Sequence, residues 1–139
     1  MRHLAILTIS LSTLAGCAYD LALTPRDGTP IGIGVAQQTS SDSGTLELTI
    51  GGKTYSGTWG TTPASDDYDL FKSHSFARRG VLDSDVLSDP LLTTGTLANG
   101  LLRSPDGASL RCQFRYGTSI GYGVCADDDE KFYDFRITR

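Results

Sequence analysis

Histidine, cysteine, tryptophan and basic charge are all scarce in this 139-residue sequence, and each shortage removes a class of function. There are two histidines, three cysteines and one tryptophan. His3 sits at the extreme N-terminus, so a Ser-His-Asp relay would depend on His74, and no nucleophile-elbow motif accompanies it. Cys112 and Cys125 with one distant histidine do not make a structural zinc site, which wants four nitrogen or sulfur ligands. Twelve Lys and Arg stand against sixteen Asp and Glu, a net charge of -4, so nucleic acid is a poor partner. No run approaches the roughly 20 apolar residues of a membrane-spanning helix. Sixteen acids leave a glycosidase carboxylate pair open in principle, but nothing marks two of them as special. No motif asks for a cofactor or a metal. The length and the sixteen glycines fit one small globular domain and disfavour coiled coils and helical solenoids.

What is present begins at the N-terminus. Met1-Arg2-His3 forms a short basic region, Leu4 to Leu14 is an apolar stretch too short to cross a bilayer, and small residues follow. That order is the pattern of a secretory signal peptide. Its end, Leu14-Ala15-Gly16-Cys17, resembles the lipobox of bacterial lipoproteins at all four positions. The resemblance implies cleavage before Cys17, a diacylglycerol on its thiol and a third acyl chain on its freed amino group. Several acyl chains together anchor a protein stably where one alone binds only marginally. In that family Asp after the cysteine retains the protein at the inner membrane. Here the position is Ala18, which implies the outer membrane with the domain facing the periplasm. The chain is similar in this respect, and in its Gly-rich strands, to small β-rich proteobacterial outer-membrane lipoproteins. The expected division is a signal peptide over 1–16, a short lipid-anchored linker over 17–20 and a single β domain over 21–139.

Loss of residues 1–16 leaves eleven basic against sixteen acidic residues, a charge of -5. Such a domain is repelled by an anionic membrane surface and does not lie flat on it. With Cys17 committed to lipid, Cys112 and Cys125 remain in a compartment that oxidises thiols, and a disulfide between them leaves no odd cysteine.

The rest reads as strands and turns. Residues 44–59 alternate with period two around Gly51-Gly52, a dipeptide suited to a tight hairpin turn. A two-residue loop there sets Leu48 opposite Tyr55 and Leu46 opposite Gly57, with Trp59 on the same apolar face, as a core anchor in preference to a ligand-stacking platform. Ser104-Pro105-Asp106-Gly107 predicts a second turn that sets Gly100 opposite Cys112 and Ala98 opposite Phe114. A third, centred on Thr118-Ser119, sets Cys112 across from Cys125, Phe114 from Gly123 and Tyr116 from Gly121. The last strand spans Phe132 to Thr138 and presents Tyr133, Phe135 and Ile137 to the face of Cys125. The loop Asp127-Asp128-Asp129-Glu130 reads as a solvated turn and lacks the glycine and alternating spacing of a calcium loop. Residues 31–37 predict a strand with Ile31, Ile33 and Val35 on one face and only Gly or Ala on the other, as if a bulky neighbour packs there. Leu21 to Thr24 adds a short edge strand.

The expected fold is therefore all-β, a small antiparallel sandwich or partly open barrel of about 6–8 strands, with one long irregular connection at 61–93. That segment carries Asp66, His74, Arg78 and Arg79 among Phe71, Phe76, Leu82 and Leu87, and long loops on rigid scaffolds commonly carry recognition. The expected role is a binding or structural accessory domain of the cell envelope, not an enzyme. Its partners are the membrane, through lipid on Cys17, and an envelope protein or peptidoglycan met through the 61–93 segment or a sheet edge. The alternative is an inhibitor of a secreted hydrolase such as lysozyme, whose basic surface an acidic domain suits.

Overall fold

A computed structural model describes residues 18–27, 31–61 and 94–139. These form eight strands: β1 (Ala18–Pro25), β2 (Gly32–Ser40), β3 (Ser43–Ile50), β4 (Lys53–Thr61), β5 (Thr96–Arg103), β6 (Ser109–Tyr116), β7 (Ile120–Asp127) and β8 (Phe132–Thr138). Each pairs antiparallel with its sequence neighbour, and β1 pairs with β8, so the sheet closes into an up-and-down barrel. The all-β antiparallel expectation holds. The barrel is closed, where a sandwich or a partly open barrel was expected. The difference lies in β1, read from the sequence as an edge strand: it lies between β2 and β8, with Leu21 opposite both Gly34 and Ile137. Residues 18–20, expected as part of a linker, already belong to β1, Ala18 pairing with Gln37.

The hairpin registers follow from the turns. Gly51 and Gly52 take φ of 56° and 78°, the left-handed angles that a two-residue hairpin loop demands at both positions. This fixes Ile50 opposite Lys53, Leu48 opposite Tyr55 and Leu46 opposite Gly57. The Pro105–Gly107 loop closes with the Ser104 amide donating to the Ala108 carbonyl at 2.9 Å, and Gly100 faces Cys112. Cys112 faces Cys125 across β6 and β7, and the two are disulfide-bonded within the barrel.

Alternation then sorts every strand into an inner and an outer row. The inner row is apolar, with Leu23, Leu48, Leu102, Leu110, Phe114 and Phe135 almost fully buried. Eight strands leave an interior that side chains can just fill, and glycines on the narrow side make room for the large rings. A Cβ at Gly123 would run into the Gln113 carbonyl and the Phe114 Cβ, so Phe114 covers bare backbone there. On β2 the small side also turns inward. A Cβ at Gly32 would stand 2.9 Å from Ile50 Cγ1, and Gly34 lies under Leu48. The bulky neighbour expected beside Gly32 and Gly34 is therefore the β3 leucine and isoleucine row, and Ile33 is left 67% exposed on the outer wall.

Substituting Cys112 and Cys125 together by Ala should lower stability by about 3 kcal/mol, since the bond constrains a loop of 14 residues in the unfolded chain. Urea unfolding checks this, and circular dichroism should show the strands retained, because turns and packing set the register independently of the bond.

Candidate functional site

The two ends of the barrel differ in chemistry. One end holds the start of β1, the β2–β3 turn, the end of β4, the start of β5, the β6–β7 turn and the C-terminus. The other holds the β3–β4, β5–β6 and β7–β8 loops. The first end is aromatic and the second is polar.

At the aromatic end a recess is lined by Tyr19, Ala36, Trp59, Phe114, Tyr116 and Ile137, with Ile120 and Gly117 at its rim. Its cavity is about 20 Å³, room for a water molecule by volume, although a water needs polar partners that these walls hardly offer. The rings meet edge to face: Trp59 and Tyr116 have centroids 5.4 Å apart, Trp59 and Phe114 6.0 Å, and Phe114 and Phe135 5.3 Å. Such pairs add to the burial of area. Trp59 is 7% exposed, so it anchors the core as expected from the sequence. Its indole Nε1 is buried with no hydrogen-bond partner among the described residues. A buried donor left unsatisfied costs free energy that a bonded acceptor would recover. Arg139 lies 5.8 Å from the Tyr19 ring at the rim. Burial, and then the carboxylate of Asp42, pushes the Tyr116 phenol above its ordinary pKa, so it is a neutral donor at physiological pH.

The polar end is a set of local clasps. Lys53 pairs with Asp106 at 2.7 Å, and that bond, with the Ser104 hydroxyl and the Ala108 amide, holds the Asp106 carboxyl well below the usual carboxylate range. Asp128 accepts from the Ser109 hydroxyl and amide, which lowers it also. Asp127 accepts from the amides of Asp129 and Lys131 at 3.0 and 2.9 Å and from the Tyr133 hydroxyl at 3.4 Å. The acidic loop 127–130 thus spends carboxylates on its own amides and on neighbouring donors. No group of three or more His, Cys, Asp or Glu placed to hold a metal occurs among the described residues.

The outer wall is two-sided in charge. β1, β2 and β3 hold no basic residue, and Asp20 and Glu47 flank Val35 on their outer rows. The outer rows of β5, β6 and β8 carry Arg103, Arg111, Arg115 and Arg136.

Of the residues singled out in the sequence, Cys112 and Cys125 are brought together as a disulfide. Cys17, with the lipobox, and Asp66, His74, Arg78 and Arg79 lie outside the described residues. Sequence reasoning did not find the aromatic recess as a unit. Its signal was one aromatic near the same end of each of β1, β4 and β6, which becomes visible only once the strands are placed around a barrel.

No protein-family model and no curated protein matches the chain. Among solved structures the barrel is similar to a redesigned beta barrel, mFAP1, bound to DFHBI. The TM-score is 0.53 with 13% identity, over 88% of this chain and 92% of that one. At this identity the likeness is one of fold.

Alkaline pH tests the electrostatics of the polar end. Burial, and then the Asp127 charge, pushes Tyr133 from 10.0 up to about 12. A raised pKa means that the fold favours the neutral phenol, so this contribution is complete below pH 10 and is lost as pH rises towards 12. Stability measured by urea midpoints should fall across that window, and Tyr133→Phe should flatten the fall. An equally steep fall in the variant would place its cause elsewhere.

Proposed function

We propose that this protein is a lipid-anchored, non-enzymatic binding domain of the cell envelope, held at the outer membrane by acyl chains on Cys17 and presenting its aromatic end to its partner. The observation that carries this reading is the position of Ala18. It is the first residue of β1, at the end where the Tyr19, Trp59 and Tyr116 recess opens. An anchor at Cys17 would therefore hold the recess close to the membrane surface, with no flexible tether between them.

The walls support binding over chemistry. Among the described residues the recess is lined by apolar side chains apart from the Tyr phenols and the Trp59 indole, with no carboxylate, imidazole or thiol. Tyr and Trp are suited to surfaces with one apolar and one wet side. The solved barrel of similar fold carries a bound small molecule, DFHBI, which is in keeping with a binding role. Membrane insertion by the barrel itself does not fit, because its outer rows carry Asp20, Glu47, Arg103, Arg111 and Arg136 where a spanning barrel turns apolar residues to lipid. Closure also removes the free sheet edge as a means of recognition. The partner class is an envelope protein or peptidoglycan, met at the aromatic end and through the 61–93 connection that leaves β4 and returns to β5 there.

A second reading has its own observation. The outer wall of β1 to β3, with exposed Ile33 and Val35 beside Asp20 and Glu47 and no basic residue, is complementary to a basic protein surface, as for an inhibitor of lysozyme.

A photo-crosslinking residue placed at Tyr116, at Lys53 on the opposite end, or at Ile33 on the outer wall separates these readings in living cells. The proposed function expects crosslinks from position 116, lost in Cys17→Ala together with fatty-acid labelling of the protein. Crosslinks from position 33 to a lysozyme would favour the second reading. Fatty-acid label retained in Cys17→Ala, or equal crosslinking from 116 and 53, would overturn the first.

A further inference from the structure

The middle of the outer face of β6, β7 and β8 is buried although it lies on the outside of a closed barrel. Alternation turns Cys112, Phe114, Cys125 and Phe135 inward, which points Gln113, Tyr122, Val124 and Asp134 outward. Outward side chains in the middle of a sheet are exposed unless something lies on them. Yet Gln113 is 1% exposed, Val124 0% and Asp134 6%. These three are direct neighbours across the strands. The row continues to the Arg26 side chain, 7% exposed, whose Nε and Nη2 donate to Asp134 Oδ1 at 2.9 and 2.8 Å. Tyr122 and Ala126 flank Val124 at 4% and 3%. None of these residues belongs to the core cluster inside the barrel.

The described residues do not supply what lies there. Arg136 stands 5.8 Å from the Tyr122 ring but is itself exposed, and it does not reach across to account for Val124 and Arg26 together. The remaining chain comprises 1–17, 28–30 and 62–93. Gly28-Thr29-Pro30 offers no large apolar side chain. The sequence of 62–93 offers nine Phe, Leu and Val side chains, among them Phe71, Phe76, Leu82, Leu87, Leu91 and Leu92. One bond directs its return: Arg115, on the outer row of β6 opposite Tyr122, donates from Nη1 to the Gly95 carbonyl at 2.9 Å. Gly95 is the residue before β5, so the described chain just ahead of β5 is tied to the outer face of β6.

We propose that residues 62–93 dock on the outer face of β6, β7 and β8, burying Val124, Tyr122 and Ala126 in a second, smaller apolar layer outside the barrel. This inference is independent of lipidation and of the partner.

Hydroxyl-radical footprinting of the full chain, read by mass spectrometry at Tyr122 and at the interior Tyr133, tests it. With residues 64–90 replaced by a short Gly/Ser linker, labelling of Tyr122 should rise at least about fivefold while Tyr133 stays protected. Tyr122 remaining protected without the segment would overturn the proposal, as would exposure that appears only when residues 1–16 are removed. Should the linker variant lose protection at Tyr133 as well, Val124→Asp in the full chain gives the decision. Proteolysis within 64–90 should then accelerate about tenfold with the barrel strands uncut, and an unchanged rate would overturn the docking.

Discussion

The pairing of β1 with β8 is the constraint on which the rest of this structure depends. Without it the other strands would form an open, twisted sheet with two bare edges and an inner row of leucines and rings exposed to water. With it, Leu21 stands opposite Ile137 and Leu23 opposite Phe135, and the apolar row closes on itself. The buried pair of Arg26 and Asp134 reinforces the same seam from outside, since Asp134 is also the ladder partner of Thr24. Burial of such a pair is not free, and removing one partner leaves a buried charge that costs about 3–5 kcal/mol. The seam is therefore held by a ladder, by three inward pairs, the third being Pro25 opposite Tyr133, and by one charged clasp.

Closure also places the functional features. Because eight strands alternate in direction, every second connection lies at the same end. The start of β1, the turn after β6 and the exit of β4 come together at one end, and the aromatic residues Tyr19, Trp59 and Tyr116 come with them. The charged clasps at Asp106, Asp127 and Asp128 occupy the other end, where they tie hairpin loops down. An interior already filled by side chains leaves only a small recess at the aromatic end. On the proposed reading, a partner would be met at the surface there and not in a deep cavity. The Trp59 indole Nε1, packed against Gly44 of β3, has no hydrogen-bond partner among the described residues.

Much of this was legible in the sequence because turns fix registers locally. Gly51-Gly52, Pro105-Asp106-Gly107 and the turn after Tyr116 each set a hairpin, and the pairs Leu48–Tyr55, Gly100–Cys112, Cys112–Cys125 and Phe114–Gly123 follow without knowledge of the fold. Closure was not legible. Leu21 and Leu23 alternate in the same way in an edge strand as in a strand with two neighbours, and period two does not distinguish a sandwich from a barrel. The outer burial of Val124 was hidden for a related reason. Tyr122, Val124 and Ala126 alternate with glycines and a cysteine, so apolar residues fall on both faces of β7, and alternation alone does not say which face meets the core. Nor does it reveal that the second face is buried too. The same ambiguity on β2 resolves oppositely, with Ile33 left at the surface.

Amide hydrogen exchange along β1 tests the closed barrel most directly. If β1 is bonded to both β2 and β8, its alternate amides on both sides are protected, and Leu21, Ala22 and Leu23 exchange as slowly as the residues of β6, a central strand. Fast exchange on the side of β1 that faces β8, together with fast exchange on the facing side of β8, would show an open sheet with two edges and would contradict the account.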